Sequence, residues 1–507
     1  MGFLSFLRRV FRRPERQPPQ AEVSEGPPPP EISETTPAPV EETKAPPPPP
    51  SKRVSIGFDF GTNTCKVVYP LAGGNVARVL DFGHGVEDIP AFCYPTAMAC
   101  EGDSVYWGPK AHSKAATGAL ILRSLKSCVT CHATGQSECV RGREDCIYRP
   151  TVAEFGSNPD AMTPPVAAAV FVGQALLLAK WQILKEIEQP SAVWMVNMCV
   201  PTCKLEDTDV IECYEHVLHA GNRIADMMLA GRDPSLAPDF VQRLLDEELP
   251  DPAAKMTKVV SESLASAKAY VTSLAFRPVI HAFVDIGAGT TDIAFFFYNE
   301  TQQTMHWWSS ATVPVAGDTI DNVLLHKAIG EHPDLQHTHH IALLEMVRHA
   351  KEAWTENTAL RVCSDGSEFL LPWASAWPSA HKVYEGLTNR FRDTWREAFR
   401  HSKTMRDWQE IKVLVGGGGS AMPRLKSSFL GPVFDGLPRW ELEEIHSPRD
   451  LDLAGVAEES EFHRVAVAYG LSIPWPQQPE ERFVTTIPET ATTRAPAFKF
   501  FWEDAPG

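Results

Sequence analysis

Two stretches far apart in the chain share one pattern of apolar and polar positions. In residues 53–69, large apolar side chains alternate with other residues up to Phe60, a turn follows at Gly61, and an apolar run resumes at Val67. Residues 281–297 repeat this order. Alternation with a period of two is typical of a half-buried β-strand, so each stretch predicts a strand, a tight turn and a second strand.

Two further apolar segments complete the outline. Residues 411–425 begin as an apolar strand that runs into four consecutive glycines, which makes a flexible linker a poor interpretation. Residues 164–181 are also apolar, but they open with two prolines and contain Gln174 and Lys180. Because prolines fit the first turn of a helix and no segment reaches about 18 uninterrupted apolar residues, we expect a buried helix here rather than a membrane span.

The first 52 residues have a different character. Residues 1–16 place apolar side chains and arginines at helical spacing, which predicts a basic amphipathic helix whose residues 1–13 bind an anionic membrane surface. A helix that docks on a partner, or a tail without function, are the alternatives. Residues 17–52 hold proline runs and glutamates and predict a disordered Pro-rich linker, because this composition cannot bury a core.

Composition and charge narrow the class of protein. The chain has 507 residues, of which 43% are hydrophobic and 22% charged, as in an ordinary globular protein. Its formal net charge is −17. A chain this acidic lacks the basic face that phosphates of DNA or RNA require, so we expect no nucleic-acid partner.

The two strand–turn–strand units carry chemistry that suits a polyphosphate. Each has an aspartate just before a glycine turn, with a threonine in the turn. These residues are Asp59, Gly61 and Thr62 in the first unit and Asp285, Gly287, Gly289 and Thr290 in the second. Glycines let backbone N–H groups approach a phosphate closely, and an aspartate beside them can hold hydrated Mg²⁺. Two such units together predict a polyphosphate clamped from opposite sides.

Together with the third glycine cluster, these segments resemble the actin and sugar-kinase ATPase superfamily. DFGTNTCK at 59–66 resembles its first phosphate loop, DIGAGTTD at 285–292 its second, and VGGGGSAMP at 415–423 its adenosine loop. Within that superfamily, RSLKS at 123–127 and VVSESLASAKAY at 259–270 are most similar to the nucleotide-binding domain of the seventy-kilodalton heat-shock chaperones.

The resemblance implies an α/β fold over residues 53–476, namely the two-lobed actin-like ATPase with its duplicated ribonuclease-H-like fold. Lobe I would span about 53–280 and lobe II about 281–460, with the last helix returning to lobe I. Residues 477–507 would remain as a C-terminal tail. We therefore expect no peptide-binding domain of the kind that the chaperones carry.

The resemblance also implies roles at the phosphate end of the site, with ATP as the nucleotide. Asp59 and Asp285 would hold Mg²⁺ through its water ligands. Lys126 would orient the attacking water, unless it is an ordinary solvated helix lysine, and Glu262 would order metal-bound waters or accept a proton. The implied phosphate-binding residues are Gly61, Thr62, Asn63, Gly287, Gly289 and Thr290. Hydrolysis of a γ-phosphate needs positioning and charge neutralisation more than covalent chemistry.

At the nucleoside end, the residues implied to line the site are Gly317, Lys351, Gly417 and Gly418. The chain departs from the chaperones at several positions. Asn63 stands where they usually have a second threonine, and Arg348 where they have a glutamate against the adenosine. Lys66 resembles instead a lysine of the actin branch that contacts phosphate.

Four cysteines cluster in a polar stretch, 128–146, that is not a standard part of the chaperone domain. They are Cys128, Cys131, Cys139 and Cys146. Four thiolates at this spacing can surround one tetrahedral Zn²⁺, and an iron–sulfur cluster or free thiols are the alternatives. The other cysteines considered are Cys65, Cys93, Cys199, Cys203 and Cys213, which we expect to be small buried apolar groups.

These observations predict a cytoplasmic ATPase that is peripheral to the inner face of a membrane and tethered there through residues 1–13. ATP would close two lobes, and an unidentified protein partner or client would read that closure. A membrane-associated actin-like protein that forms filaments is one alternative, so self-association stays open. A weakly hydrolysing nucleotide sensor is another.

Overall fold

Two large β-sheets and the helices packed on them form the framework of the chain from Arg53 onward. The computed structural model describes residues 52–71, 76–86, 89–101, 104–115, 121–135, 162–188, 192–201, 207–234, 236–251, 256–273, 276–277, 279–299, 304–337, 340–352, 354–355, 357–364, 367–401, 410–422, 425, 429, 439–443, 445–474 and 480–483. The class is mixed α/β, as the sequence predicts. The predicted N-terminal helix and residues 17–51 of the predicted linker lie outside the described residues.

Strands and helices alternate in blocks along the described chain. The strands are β1 (Lys52–Asp59), β2 (Thr64–Pro70), β3 (Ala77–Val79), β4 (Tyr94–Pro95), β5 (Met98–Glu101), β6 (Ser104–Trp107), β7 (Ile121–Leu122), β8 (Ala192–Val200), β9 (Thr257–Ser261), β10 (Ile280–Ile286), β11 (Thr291–Asn299), β12 (Thr304–Val313), β13 (Leu360–Ser364), β14 (Ser367–Leu371), β15 (Glu410–Gly416), β16 (Arg439–Glu443), β17 (Leu451–Asp452) and β18 (Glu480–Phe483). The helices are α1 (Gly108–Ala115), α2 (Leu125–Ala133), α3 (Pro164–Glu186), α4 (Thr208–Leu229), α5 (Pro238–Leu245), α6 (Glu262–Val271), α7 (Gly317–Glu331), α8 (His340–Glu352), α9 (Trp373–His401) and α10 (Phe462–Ser472). The strands predicted around the glycine turns are therefore confirmed.

The two large sheets repeat one strand order. The first sheet runs β17-β3-β2-β1-β8-β9, with β4 also paired to β2, and the second runs β16-β15-β10-β11-β12-β18. In each, three consecutive strands form an antiparallel meander, and two later strands join on the far side of the first one. The described residues thus contain one five-strand arrangement twice, as β3-β2-β1-β8-β9 and as β12-β11-β10-β15-β16.

Helix α3 lies in the core beside the first sheet. By length and composition it could cross a membrane, but 83% of its most apolar window is buried inside the protein. Its Lys180 side chain is buried as well, and the Nζ atom lies 2.7 Å from Asn222 Oδ1 and 2.6 Å from Asp226 Oδ1 of α4. A helix that is apolar on all sides and buried against its neighbours is a core helix, which confirms the prediction for residues 164–181.

Helix α10 crosses α6 at very short range. A Cβ atom built on Gly470 would lie 1.8 Å from the carbonyl oxygen of Ala265, so only glycine permits the two helices to approach this closely. Glu262 at the start of α6 and Arg464 in the first turn of α10 line the same cavity. The crossing therefore brings the N-termini of α6 and α10 to this cavity.

The segment after α10 contributes more than the expected tail. Residues Glu480–Phe483 form β18, which pairs in parallel with β12 at the edge of the second sheet. The sequence pattern does not predict this strand, because its four residues are largely charged. An edge strand is held by backbone hydrogen bonds, which leave no apolar pattern in the sequence.

Candidate functional site

Three glycine turns from distant parts of the chain line one cavity of about 440 Å³. They are the β1–β2 turn, the β10–β11 turn, and the 3₁₀ turn Gly418–Ala421 that follows β15. The predicted residues in the cavity wall are Asp59, Gly61, Thr62, Asn63, Lys66, Glu262, Asp285, Gly287, Thr290, Gly317, Lys351, Gly417 and Gly418. The volume lies within the range of small-ligand pockets.

Strand pairing explains why these turns meet. Asp285, near the end of β10, is the register partner of Gly416, the last residue of the parallel strand β15. The glycine run that follows β15 therefore comes beside Asp285. In the β1–β2 hairpin Asp59 is paired with Lys66, and in the β10–β11 hairpin Asp285 is paired with Asp292. The two hairpins thus place Lys66 and Asp292 at equivalent positions.

The β1–β2 turn is held from behind by Thr96, which is fully buried. The Thr96 N–H donates to the carbonyl oxygen of Asn63 at 2.7 Å, and its hydroxyl donates to the carbonyl oxygen of Gly61 at 2.8 Å. Because a trans peptide group points its N–H opposite to its C=O, the N–H groups of Thr62 and Thr64 point away from Thr96. Thr62 and Thr64 line the cavity, so these donors suit an anion bound there.

The β10–β11 turn is tied to the start of α7. The N–H of Gly287 donates to the carbonyl oxygen of Thr290 at 2.9 Å and closes the turn. The N–H groups of Gly317 and Asp318 donate to the carbonyl oxygens of Gly287 at 3.1 Å and Ala288 at 2.7 Å. These bonds fix the first turn of α7 against the second glycine turn.

The third turn packs directly on Asp285. Gly417 has a φ of +78°, a conformation that side chains disfavour. A Cβ atom there would also lie 2.3 Å from Asp285 Oδ1 and 2.4 Å from the carbonyl oxygen of Ile286. Gly418, the next residue, has open space around its Cβ position and lines the cavity. Glycine at 417 is therefore required by the backbone, whereas glycine at 418 leaves room for a ligand.

Carboxylates outnumber ammonium groups at the end of this cavity that lies between the two hairpins. The charged groups are Asp59, Glu262, Asp285, Asp292, Lys66 and Lys126. Lys66 Nζ lies 3.1 Å from Asp59 Oδ2, and Lys126 Nζ forms an ion pair with Glu262. With all six groups ionised, four negative and two positive charges leave a formal excess of two negative charges.

The two aspartates of the second hairpin, Asp285 and Asp292, have raised pKa values. Burial, then the charges of Glu262 and Asp59, raise the pKa of Asp285 to about 7. Burial and Glu262 also raise the pKa of Asp292 well above its ordinary value, although its carboxylate accepts a hydrogen bond from Thr312. A cation bound in the cavity would lower both pKa values, because an opposite charge favours the ionised form.

Lys126 is not a solvated lysine. It lies in the first turn of α2 with 4% of its surface exposed, and its Nζ atom contacts Glu262 and lies 3.3 Å from Cys199 Sγ. Burial alone would lower the pKa of Lys126, but Cys199 and Glu262 beside it hold the pKa well above its ordinary value. Lys126 therefore stays charged, one contact behind the cavity wall that Glu262 forms.

The end of the cavity beside α7 and α8 has its own balanced charges. Lys351 Nζ lies 2.5 Å from Asp321 Oδ1, and Arg348 lies 3.1 Å from Asp321 Oδ2 and 3.2 Å from Asp318 Oδ1. Asn63 Nδ2 donates to Asp318 Oδ1 at 3.4 Å. Asn63 thus connects the first hairpin to α7 of the second half, while Arg348 holds α8 against α7.

Sequence reasoning missed two residues of this site. The signal for Asp292 was present, because residues 285 and 292 have the same separation as residues 59 and 66. Cys199 gave no signal, since it stands in an apolar strand. Cys199 is buried, as expected, but its surroundings are not only apolar, because its Sγ atom lies 3.3 Å from Asp59 Oδ1 as well as near Lys126.

Some predicted residues lie away from the cavity. Gly289 is in the β10–β11 turn but is outside the described cavity wall. Cys128 and Cys131 lie in α2, half-buried and buried respectively, so the cluster begins in a helix. Cys139 and Cys146 are outside the described residues.

A second cavity, of about 630 Å³, lies beside α2. Its described wall includes His132, Cys213 and His216 but none of the three glycine turns. Although this cavity is larger, its described wall lacks the convergent carboxylates, lysines and turn N–H groups of the smaller cavity. We therefore regard the smaller cavity as the candidate site.

Comparison of the sequence with protein-family models gave no match, and comparison with curated proteins gave none either. The function is therefore argued from the residues and their geometry.

Proposed function

We propose that the chain binds a magnesium-bound nucleoside triphosphate, with ATP as the expected nucleotide, and hydrolyses its γ-phosphate. The observation that carries this proposal is the meeting of three glycine turns and five carboxylates, including Asp59, Glu262 and Asp285, around one cavity of about 440 Å³. Turn N–H groups bind phosphate oxygens, and buried carboxylates bind a hard divalent cation. The cavity thus combines donors for the phosphate oxygens with ligands for the metal ion.

The repeated strand order supports a two-lobed, actin-like arrangement with a duplicated ribonuclease-H-like fold. In that arrangement each five-strand unit would be the centre of one lobe, and each would present its first hairpin to the ligand. The hairpins β1–β2 and β10–β11 hold equivalent positions in their sheets and both line the cavity. Within the superfamily, the Lys126–Glu262 pair favours a chaperone-like ATPase over a filament-forming protein.

The donor set fits Mg²⁺. The ligand atoms are carboxylate oxygens, which Mg²⁺ prefers. Asp59 and Asp285 would hold the ion through its water ligands. When bound, the ion neutralises phosphate charge, which is the main requirement of phosphoryl transfer.

The chain's own groups do the remaining work. The N–H groups of Thr62 and Thr64 hold phosphate oxygens in place. Glu262, with one carboxylate oxygen paired to Lys126, orients a water with its other oxygen and accepts a proton there. Lys126, which stays charged, holds Glu262 in position through this ion pair.

Two further proposals concern the rest of the chain. Cys128 and Cys131 are three residues apart in one helix, so their side chains share a face and suit two ligands of one Zn²⁺. We place the ATPase on a membrane surface through residues 1–13, with a protein partner that responds to the bound nucleotide.

The test of the proposed activity is Asp285→Asn in the full chain. Removing this carboxylate should reduce Mg²⁺-dependent ATP hydrolysis by about 100-fold or more, the usual cost of losing one group that stabilises transition-state charge. Asp233→Asn is the matched control, since Asp233 is exposed and lies away from the cavity. Equal turnover by Asp285→Asn and Asp233→Asn, or no turnover by the unaltered chain, would overturn the proposal.

A further inference from the structure

A buried thiol stands inside the carboxylate cluster. Cys199 is fully buried near the end of β8, which lies beside β1 in the first sheet. Its Sγ atom is 3.3 Å from Asp59 Oδ1 and 3.3 Å from Lys126 Nζ. Nothing in the proposed hydrolysis uses a sulfur atom at this position.

The thiol belongs to a compact donor set. One carboxylate oxygen of Asp59, the Sγ atom of Cys199 and one carboxylate oxygen of Glu262 all lie within 4.8 Å of one another. We propose that these three residues bind a thiophilic divalent cation such as Zn²⁺, and that its binding stops the hydrolysis. The inhibitory part rests on the proposed function, whereas the binding part does not.

The spacing of the donors fits a tetrahedral ion. With Zn–S near 2.3 Å and Zn–O near 2.1 Å, two ligands of one Zn²⁺ are separated by about 3.5 Å. The observed 3.3 Å between Cys199 Sγ and Asp59 Oδ1 is close to this value. Mg²⁺ prefers oxygen ligands and keeps its waters, so the sulfur favours the softer ion.

The charges of the cluster also fit. Binding breaks the S–H bond of Cys199, forms a metal–sulfur bond and releases one proton to the buffer. The three ligands then carry three negative charges against two on the ion. Lys126, which already lies beside both Cys199 and Glu262, balances the remaining one.

Occupation would disable the site for a specific reason. The ion would take Glu262 and Asp59 as ligands, so Glu262 would no longer have an oxygen available to accept a proton. Asp59 would no longer be free to hold the waters of Mg²⁺. Inhibition should therefore occur with Mg²⁺ in excess and be reversed by a chelator.

The test compares zinc binding by the full chain and by the variant Cys199→Ser, with ZnCl₂ as the probe and excess Mg²⁺ present. Cys199→Ser should bind one zinc equivalent fewer, or bind that equivalent about 100-fold or more weakly, because losing a ligand costs more than losing an outer partner. Cys213→Ser is the control, because Cys213 is half-buried and lines the other cavity. It should bind as the unaltered chain does.

Cobalt gives a second readout on the same proteins. Co²⁺ bound to a thiolate has a charge-transfer absorption band, and a difference spectrum of the unaltered chain against Cys199→Ser should contain it. If Cys199→Ser does not fold, Glu262→Gln replaces it. That variant should weaken binding and keep the cobalt–sulfur band.

The outcomes separate the two proposals. Cys199-dependent zinc binding in a chain without ATPase activity would sustain the metal site and refute the proposed function. ATPase activity that zinc inhibits equally in the unaltered chain and in Cys199→Ser would refute the inhibitory role. Equal zinc stoichiometry and affinity in both proteins would refute the site itself.

Discussion

Asp285 should make the ligand-free protein lose stability as the pH rises toward neutral. Its pKa is raised from the ordinary 3.8 to about 7, because it is buried beside other carboxylates. Below pH 3.8 the folded and unfolded chains both hold the proton. Between pH 3.8 and 7 only the folded chain holds it, so the free energy of unfolding falls through this window and the loss is complete above pH 7. A shift of about three pH units corresponds to a loss of about 4 kcal/mol.

The substitution Asp285→Asn removes this titration and keeps the size of the side chain. In the presence of a chelator, we expect the variant to unfold at a higher temperature than the unaltered chain at pH 8, by the equivalent of about 4 kcal/mol. At pH 4 the two proteins should unfold at nearly the same temperature. Thermal unfolding followed by circular dichroism across this pH range measures the difference.

Asp233→Asn is again the control, because an exposed aspartate should leave the pH profile unchanged. The reasoning would be refuted if Asp285→Asn lowered the unfolding temperature equally at every pH. That result would mean that the Asp285 carboxylate stabilises the ligand-free fold, instead of being stabilised only by a bound cation.

Three further predictions concern other parts of the chain. His281 is fully buried, and burial lowers its pKa from 6.5 to about 3. The free energy of unfolding should therefore fall by about 5 kcal/mol as the pH falls from 6.5 toward 3. In acid unfolding measurements, His281→Phe should abolish this loss. Gly417→Ala should lower the unfolding temperature and weaken nucleotide binding, whereas Gly418→Ala, in open space, should leave the unfolding temperature unchanged. Equal unfolding temperatures of the two variants would contradict the strain argument. Deletion of residues 1–13 should release the protein from anionic vesicles in a sedimentation assay, and persistent binding would dismiss the tether.

The hairpins were predictable because their pattern lies in neighbouring residues. Asp59 and Asp285 each stand just before a glycine turn. The residues that form each strand–turn–strand unit follow one another directly in the chain. Local patterns of this kind are the ones that sequence periodicity can detect. The same holds for α3, whose apolar run and opening prolines are contiguous.

The residues that escaped prediction act through contacts between distant segments. Cys199 reaches Asp59 because β8 lies beside β1, and strand order in a sheet is a tertiary property. Lys126 is buried because Glu262, far away in sequence, pairs with it. The sequence suggested the chemistry of Lys126 through a resemblance, but its burial depends on packing that no local pattern encodes. Strand β18 escaped for the same reason.

The pairing of Lys66 with Asp59, and of Asp292 with Asp285, has a consequence for how a ligand enters. Two hairpins of equal geometry would offer an elongated polyanion two equivalent directions, related by the internal repeat. An ammonium group at residue 66 and a carboxyl group at residue 292 make those directions unequal. In the proposed complex, the lysine would favour phosphate oxygens at the first hairpin, and the second hairpin, with a carboxyl group at both paired positions, would favour the metal ion. One difference at matched positions would thus give a duplicated framework a polarity, and the proposed ligand a single orientation.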